Sequence, residues 1–502
     1  MKQKLICLLL TAALLLGGCD FTAPEQSNPL GNTAAPEKKV TTLNDIGLLY
    51  YPDADPNPLS STNLTNQKFY ASVYLPLITF DEKMNVHYGC ALTHSVSGKT
   101  IRFSLDMARR FSDGTKLNGQ IVKRCFDEVM ANTASPYYKQ LSVIQSVTAT
   151  GSQLTITLKE ENPGALYAMD IPIVLVGGTK EAPQYLGCGD YKIGVKNSRA
   201  ALLPNTVNAT AEELHTVLLY EPHAGSEITN MFNSGVLNVL PTDLLSASTF
   251  SASRDYNIKS YLTDTMIFMG VHANGSLSDA AMRRAFSMLI PREEIVKSIL
   301  MQRARATARP IYPKLAGMQT ETLTYEDDQI VKAFTDAGMK VKNNVISTAD
   351  GKTLTLRLMV SNQNQTLTAV AEKIQSAAWK FGIVVEIESI SPDDHFSRLG
   401  KGNFDLYLAR YTLPADLDSA ALFVAQGVEN YGKLSIPALD QAYQKYRAGG
   451  SLSEYCAVLE REMPVLPIAF LENTLYLTQG ITPDETISFS APLGKLSAWK
   501  IS

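Results

Sequence analysis

Apolar residues along this chain recur with two spacings, one of two residues and one of three to four, and these spacings place most of its elements. In "KTIRFSLD", Ile101, Phe103 and Leu105 alternate with Arg102, Ser104 and Asp106, the period of a half-buried strand. An Asp-Gly turn follows within Phe111 to Thr115. Asn118 is then placed to cap a helix on which Val122, Cys125, Phe126, Val129 and Met130 share one face. Two further strands, near 141–149 and 153–159, meet at Gly151-Ser152, a hairpin signal. Residues 80–165 therefore read as a small α+β unit.

The same spacings return between 352 and 418. "KTLTLRLMV" alternates Leu354, Leu356, Leu358 and Val360. A helix from about Thr366 buries Val370, Ile374, Ala378 and Phe381, with Gly382 as its stop. "IVVEIESI" turns Ile383, Val385 and Ile387 inward, and "NFDLYLA" alternates Phe404, Leu406 and Leu408. Strand, helix, strand at this length is a right-handed crossover unit, so the fold class is α/β. In open α/β sheets, ligands bind beyond the carboxyl ends of the strands. That rule selects two polar loops, Ser361 to Gln365 and Arg410 to Asp418. The candidate ligand contacts they carry are Asn362 from the first, and Arg410, Tyr411, Thr412 and Asp416 from the second.

The first apolar run, Leu5 to Leu16, follows Lys2 and Lys4. At about a dozen residues it is too short to span a bilayer, and its anatomy is that of an export signal. It ends at Leu16-Gly17-Gly18-Cys19, which resembles a lipobox, the bacterial site of sulfur acylation followed by signal cleavage. The resemblance implies that residues 1–18 are removed and that Cys19 carries the fatty chains. Each buried CH₂ then adds about 0.8 kcal/mol of membrane affinity. Asp20, directly after that cysteine, favours the outer face of the cytoplasmic membrane. Residues 19–40, rich in Pro, Asn, Thr and Ala, read as a flexible tether with a reach of roughly 25 Å.

Removing 18 of 502 residues leaves 484, and loss of Lys2 and Lys4 takes the net charge from −4 to −6. A chain this long exceeds one ordinary core and suggests about three structural units. With no basic stripe, nucleic acid is excluded as a partner. No later stretch has 18 uninterrupted apolar residues, so nothing else is expected to span a membrane. Four cysteines remain in the mature chain: Cys90, Cys125, Cys188 and Cys456. The compartment permits disulfides, and four thiols allow three complete pairings. Cys125 falls on the apolar helix face, where a buried free thiol is expected.

Neither a Gly-x-Ser-x-Gly elbow nor a His-Glu-x-x-His motif occurs. The six histidines are scattered; His87 and His94 flank Cys90 without zinc spacing, and no metal or cofactor is expected. An enzyme is therefore not expected, although an extracellular hydrolase built from acids paired only in space is the alternative of a different class.

Six segments in order resemble the family 5 extracellular solute-binding proteins of ABC importers. They are "IRFSLDMARRFSDGTKLNGQIVKRCFDEV", "GCGDYKIG", "LSDAAMRRAFSMLIPREEIV", "IVKAFTDAGM", "KFGIVVEIESI" and "NFDLYLARY". The resemblance covers nearly all of the mature chain. It implies a two-lobed periplasmic-binding-protein-like fold of type II, with an extra small α+β domain. Lobe one would hold 41–265, including 80–165 as the small domain, and the return segment 467–502; lobe two would hold 266–466. Hinge strands are expected near Asp264 to His272 and Pro464 to Leu471. The implied partners are a small solute, with a peptide favoured, the permease subunits of an ABC importer, and a membrane reached through the lipid; the chain itself is expected to be a monomer. The implied function is capture of the solute by hinge closure, with delivery to the importer or, alternatively, reception of a peptide signal without bulk uptake.

Three departures from the family pattern bear on the ligand. Peptide-binding members carry an aspartate shortly after a Trp; here Tyr411 stands for the Trp and Pro414 for the aspartate, with Asp416 and Asp418 close by. Tyr74-Leu75-Pro76-Leu77 lacks the acid of the family's Tyr-Glu-Gly-Leu-like segment. Gly187-Cys188-Gly189-Asp190-Tyr191 has Cys for Thr and Asp for Pro. If a zwitterion binds, Asp416 is expected to meet its ammonium and Arg410 its carboxylate, with Tyr411 giving flat apolar contact.

Overall fold

A computed structural model describes residues 45–208, 214–242, 251–315, 318 and 320–502. The signal, the tether and Cys19 lie outside the described residues. The fold is organised by its two longest strands, Tyr256–Val271 and Val465–Thr478, which pair antiparallel along most of their length. Both sit inside one sheet. On one side of Tyr256–Val271 runs Leu406–Thr412, then Thr355–Ser361 and Val384–Ile390; on the far side of Val465–Thr478 come Val239–Thr242 and Asp45–Leu49.

The pleat of the long strands serves two separate cores. Met266 and Phe268 belong to one buried cluster, while Ile267, Met269 and Val271 belong to another. Leu466 and Ile468 likewise face the second cluster, and Leu475 and Leu477 the first. Because successive side chains point to opposite faces, a strand covered on both sides must be apolar at every position. This accounts for the unbroken "MIFMGV" and "PVLPIAF" runs. The second core is closed by helices Ala280–Leu289 and Gln365–Trp379, through residues such as Phe286, Val370 and Ile374.

The crossover unit forms as its spacing predicts. Thr355–Ser361 and Val384–Ile390 pair in parallel, with Gln365–Trp379 between them. Leu354, Leu356, Leu358 and Val360 are all buried, and Gly382 takes the left-handed backbone (φ +72°) that lets the chain leave the helix. Ile387, expected inside, is only half-buried.

Residues 91–158 form a four-stranded antiparallel sheet in the order Ala91–Ser97, Thr100–Leu105, Gln153–Leu158, Ile144–Thr150. Helix Gly119–Ala131 lays Val122, Cys125, Phe126 and Val129 into the first core, and its orphan amides at Gln120 and Ile121 donate to the Asn118 side chain at 3.1 and 3.0 Å. The strand expected from 141 begins only at Ile144. Gln140–Val143 is a 3₁₀ turn, whose Gln140 side chain reaches the Ala168 carbonyl and Asp170 instead of joining a ladder. Among the described residues, no helix is long and apolar enough to cross a membrane.

Candidate functional site

Where Leu406–Thr412 ends, the chain opens onto a cavity of about 1150 Å³. Its walls come from helix Leu64–Val73 with the adjoining Tyr74 and Pro76, the 136–143 segment, 167–172, the middle of Tyr256–Val271, 410–418, Ala421 and Glu429, Leu471 and Asn473 of Val465–Thr478, and 489–492. The register of the sheet sets the geometry at its floor. Thr412 pairs with Thr265, Tyr411 with Met266 and Arg410 with Ile267. The two threonine hydroxyls lie 3.0 Å apart, and the Leu413 amide donates to the Asp264 carbonyl at 2.9 Å.

Of the residues expected from the sequence, Arg410, Tyr411, Thr412 and Asp416 all line this cavity. Arg410 and Thr412 are exposed, whereas Tyr411 is partly buried and meets Phe268 edge-on at 6.4 Å. Burial, with smaller contributions from Glu429, Asp418 and Asp416, holds the Tyr411 phenol well above its usual range. The structure does not bring Asn362 to this place. It is an exposed residue at the end of Thr355–Ser361, its amide bonded to the Ile390 carbonyl, and the loop's polar groups serve the next helix, which Asn364 caps. The crevice rule selects both loops alike, because Leu406–Thr412 runs parallel to Thr355–Ser361; the packing of distant segments around 410–418 decides which strand end opens onto the cavity.

Asp416 is held from two directions. Asn162 Nδ2 donates to its Oδ2 at 2.7 Å, and Arg447 Nη1 lies 3.9 Å away. Asp418 accepts from Tyr443 Oη at 2.6 Å and from Arg447 at 3.0 Å. Burial raises the Asp416 pKa, and the Asn162 hydrogen bond offsets part of that rise.

Two acids that the sequence did not single out sit deeper. Asp170 accepts from Gln140 Nε2 at 2.5 Å and from Ser490 Oγ at 2.6 Å, and burial pushes its carboxyl up to about 6. Burial also lifts Asp264 to about 6, with the negative charge of Asp170 adding to the shift. Tyr70, Tyr137, Tyr261 and Phe489 supply aromatic wall. A signal for the two acids did exist: each is a lone charge inside an apolar stretch, "YAMDIPIV" and "YLTDTMIFM". Among the described residues, the lining carries five carboxylates, Asp170, Asp264, Asp416, Asp418 and Glu429, against three cations, Lys68, Lys139 and Arg410. Among the same residues, no group of three or more His, Cys, Asp or Glu side chains converges as a metal site. His87 bonds Asp81 and His94 bonds Tyr88, each away from Cys90.

Residues 86–430 match the family model described as "Bacterial extracellular solute-binding proteins, family 5 Middle". The chain belongs to the family 5 bacterial extracellular solute-binding proteins. As a member of family 5, it adopts the two-lobed periplasmic-binding-protein fold. It is similar in structure to the unliganded open form of MppA, a periplasmic murein tripeptide-binding protein, with a TM-score of 0.75 at 17% identity over 92% of this chain and 98% of that one. A nickel ABC transporter protein from Bacillus halodurans gives a TM-score of 0.75 at 18% identity, over 91% and 99% of the two chains. The oligopeptide-binding protein AppA from Bacillus subtilis, in complex with a nonapeptide, gives 0.56 at 17% identity, over 91% and 99%. Family 5 proteins are extracytoplasmic components of solute transport, and their role is binding, not catalysis.

Proposed function

We propose that this family 5 protein captures a peptide or similar small polar solute in the cavity beside Tyr411, closes over it, and delivers it to an ABC importer from a lipid anchor at Cys19. The observation that carries the reading is the cavity itself, which is of a size that suits a multi-residue solute. Tyr411 and the other aromatic rings offer flat apolar contact with polar tips. The excess of carboxylates favours a solute bearing an ammonium group, which Asp416 would meet, while Arg410, exposed at the rim, would take a carboxylate by charge-assisted bonds. Thr412 would add a hydroxyl.

In this reading the paired strands Tyr256–Val271 and Val465–Thr478 act as the hinge, joining a first lobe (up to about 265, with the last 35 or so residues) to a second lobe (266–466). The break in their pairing register between Leu262 and Met266 supports that role, because an interrupted ladder is where paired strands can bend. Closure requires a solute that binds the closed state better than the open one.

Native mass spectrometry of the protein purified from its own cells tests the reading. The expected result is a co-purified solute of peptide size whose affinity drops at least tenfold in Asp416→Ala. Unchanged affinity in that variant removes Asp416 from the site. A shape in small-angle scattering that does not contract when that solute is added ends the closure reading.

A further inference from the structure

Four thiols leave three complete pairings open along the chain, and the folded protein distinguishes among them. Cys90 Sγ and Cys188 Sγ lie 3.3 Å apart, and both residues are fully buried. We propose that Cys90 and Cys188 are a disulfide-forming pair, joined as the chain folds outside the cytoplasm.

The backbone on each side is already held where such a bond needs it. The amide of Cys90 donates to the Pro76 carbonyl at 2.8 Å, and its neighbours Gly89 and Ala91 both donate to the Leu77 carbonyl. On the other side, Gly189 donates to the Val73 carbonyl at 2.9 Å, and Asn208 Nδ2 donates to the Cys188 carbonyl at 3.0 Å. The flanking glycines make this approach possible. A Cβ on Gly187 would sit 1.9 Å from the Val73 carbonyl oxygen, and one on Gly189 would sit 2.2 Å from that of Ser72. A disulfide sulfur pair is separated by about 2.0 Å. Closing 3.3 Å to that distance takes a combined shift of roughly 1.3 Å, within the reach of small side-chain rotations.

The other two thiols are engaged elsewhere. Cys125 Sγ donates to the Val174 carbonyl at 3.2 Å and accepts from the Val174 amide at 3.3 Å. Cys456 packs against Met318 Sδ at 3.9 Å. Burial holds the Cys90 thiol well above its usual pKa, with Cys188 beside it adding to the rise, so in the folded reduced chain the Cys90 sulfur is a poor nucleophile, and both sulfurs are shut away from a donor disulfide. Oxidation therefore belongs to the folding step, before the sulfurs are enclosed.

The chemistry is thiol–disulfide exchange. One thiolate attacks a donor disulfide to give a mixed disulfide, and the second displaces the donor's remaining thiol. The two protein thiols lose two protons and two electrons; the donor disulfide is reduced to two thiols. The new bond would close a loop across 98 residues, enclosing the four-stranded sheet. It would also fasten the segment carrying Tyr74 and Pro76, two residues of the cavity wall.

The test is to refold the reduced mature chain in a buffer of oxidised and reduced glutathione, alkylate the remaining thiols, digest without reductant and map the products. The expected product is a linked peptide containing Cys90 and Cys188, with Cys125 and Cys456 alkylated. The linked form is expected to melt higher than the reduced form by on the order of 5 °C. Alkylation of both Cys90 and Cys188, or a link joining either to another cysteine, overturns the proposal. The same mapping on exported protein applies the test in its own compartment, where the same linked peptide supports the pair and the same alkylation pattern overturns it. Neither preparation needs a ligand, so the result stands apart from the solute-binding reading.

Discussion

Asn162 Nδ2 donates a hydrogen bond of 2.7 Å to Asp416 Oδ2, joining residues 254 positions apart. Asn162 is itself buried, and its Oδ1 accepts from the Gly164 amide at 3.0 Å. The side chain therefore spans from its own turn to the loop that lines the cavity. Hydrogen bonds to ionised groups contribute about 1.5–3 kcal/mol. Asn162→Ala is expected to lower unfolding stability by about 2 kcal/mol at pH 7 and to raise the Asp416 pKa further. Urea denaturation of the ligand-free protein checks the first, and NMR titration of the carboxyl the second.

Asp264 gives a pH signature. Its folded pKa of about 6 lies above the ordinary 3.8, so the folded chain holds this proton more tightly than the unfolded one. The group then costs stability progressively as pH rises from about 4 to 6. Asp170, also near 6, titrates in the same window and its charge opposes ionisation of Asp264. Asp264→Asn is expected to match the wild type near pH 4 and to exceed it by about 1–3 kcal/mol at pH 7.5. Urea midpoints at the two pH values measure the difference; an equal offset at both would contradict the assignment.

The placement of the two candidate loops makes a paired prediction about affinity. Tyr411 lines the cavity and Asn362 does not. Once a bound solute is identified, Tyr411→Ala is expected to weaken its binding about tenfold or more, the loss of one aromatic contact with its buried area. Asn362→Ala is expected to leave affinity within twofold. Isothermal titration of both variants decides it.

Arg292 is fully buried and gives its donors to neutral acceptors. Its Nε donates to the carbonyls of Thr307 at 3.0 Å and Pro467 at 2.8 Å, and its two terminal nitrogens donate to Ser287 at 2.6 and 2.7 Å. Burial lowers its pKa to about 10. Arg292→Met fills much of the volume but strands these acceptors, each at about 1–3 kcal/mol. A loss of more than about 3 kcal/mol is expected, read as a fall in the thermal midpoint.

Much of this molecule is legible along the chain because its signals are local. The alternation of Leu354, Leu356, Leu358 and Val360 is caused by the pleat, and the stop at Gly382 by its backbone freedom. The "MIFMGV" run is plainly apolar, but its service to two cores is not written there, since a continuous run records that both faces are covered and not by what. The loop from Arg410 to Asp418 is reached by the crevice rule, and the same rule points to Asn362, which the fold leaves at the surface. Asp170 and Asp264 are marked in the sequence only as lone charges in apolar stretches, a signal that becomes meaningful once distant segments wall the acids in.

By itself, the order of residues determined the crossover unit, the helix capped by Asn118, the α/β class and the resemblance to family 5, all of which depend on periodicity and on motifs that neighbouring residues share. Tertiary structure alone decided that Asn162 reaches Asp416, that two buried acids face one cavity, and that Cys90 lies against Cys188. Those are distances between points remote in the chain, and they exist only after burial of the two cores has drawn the segments together.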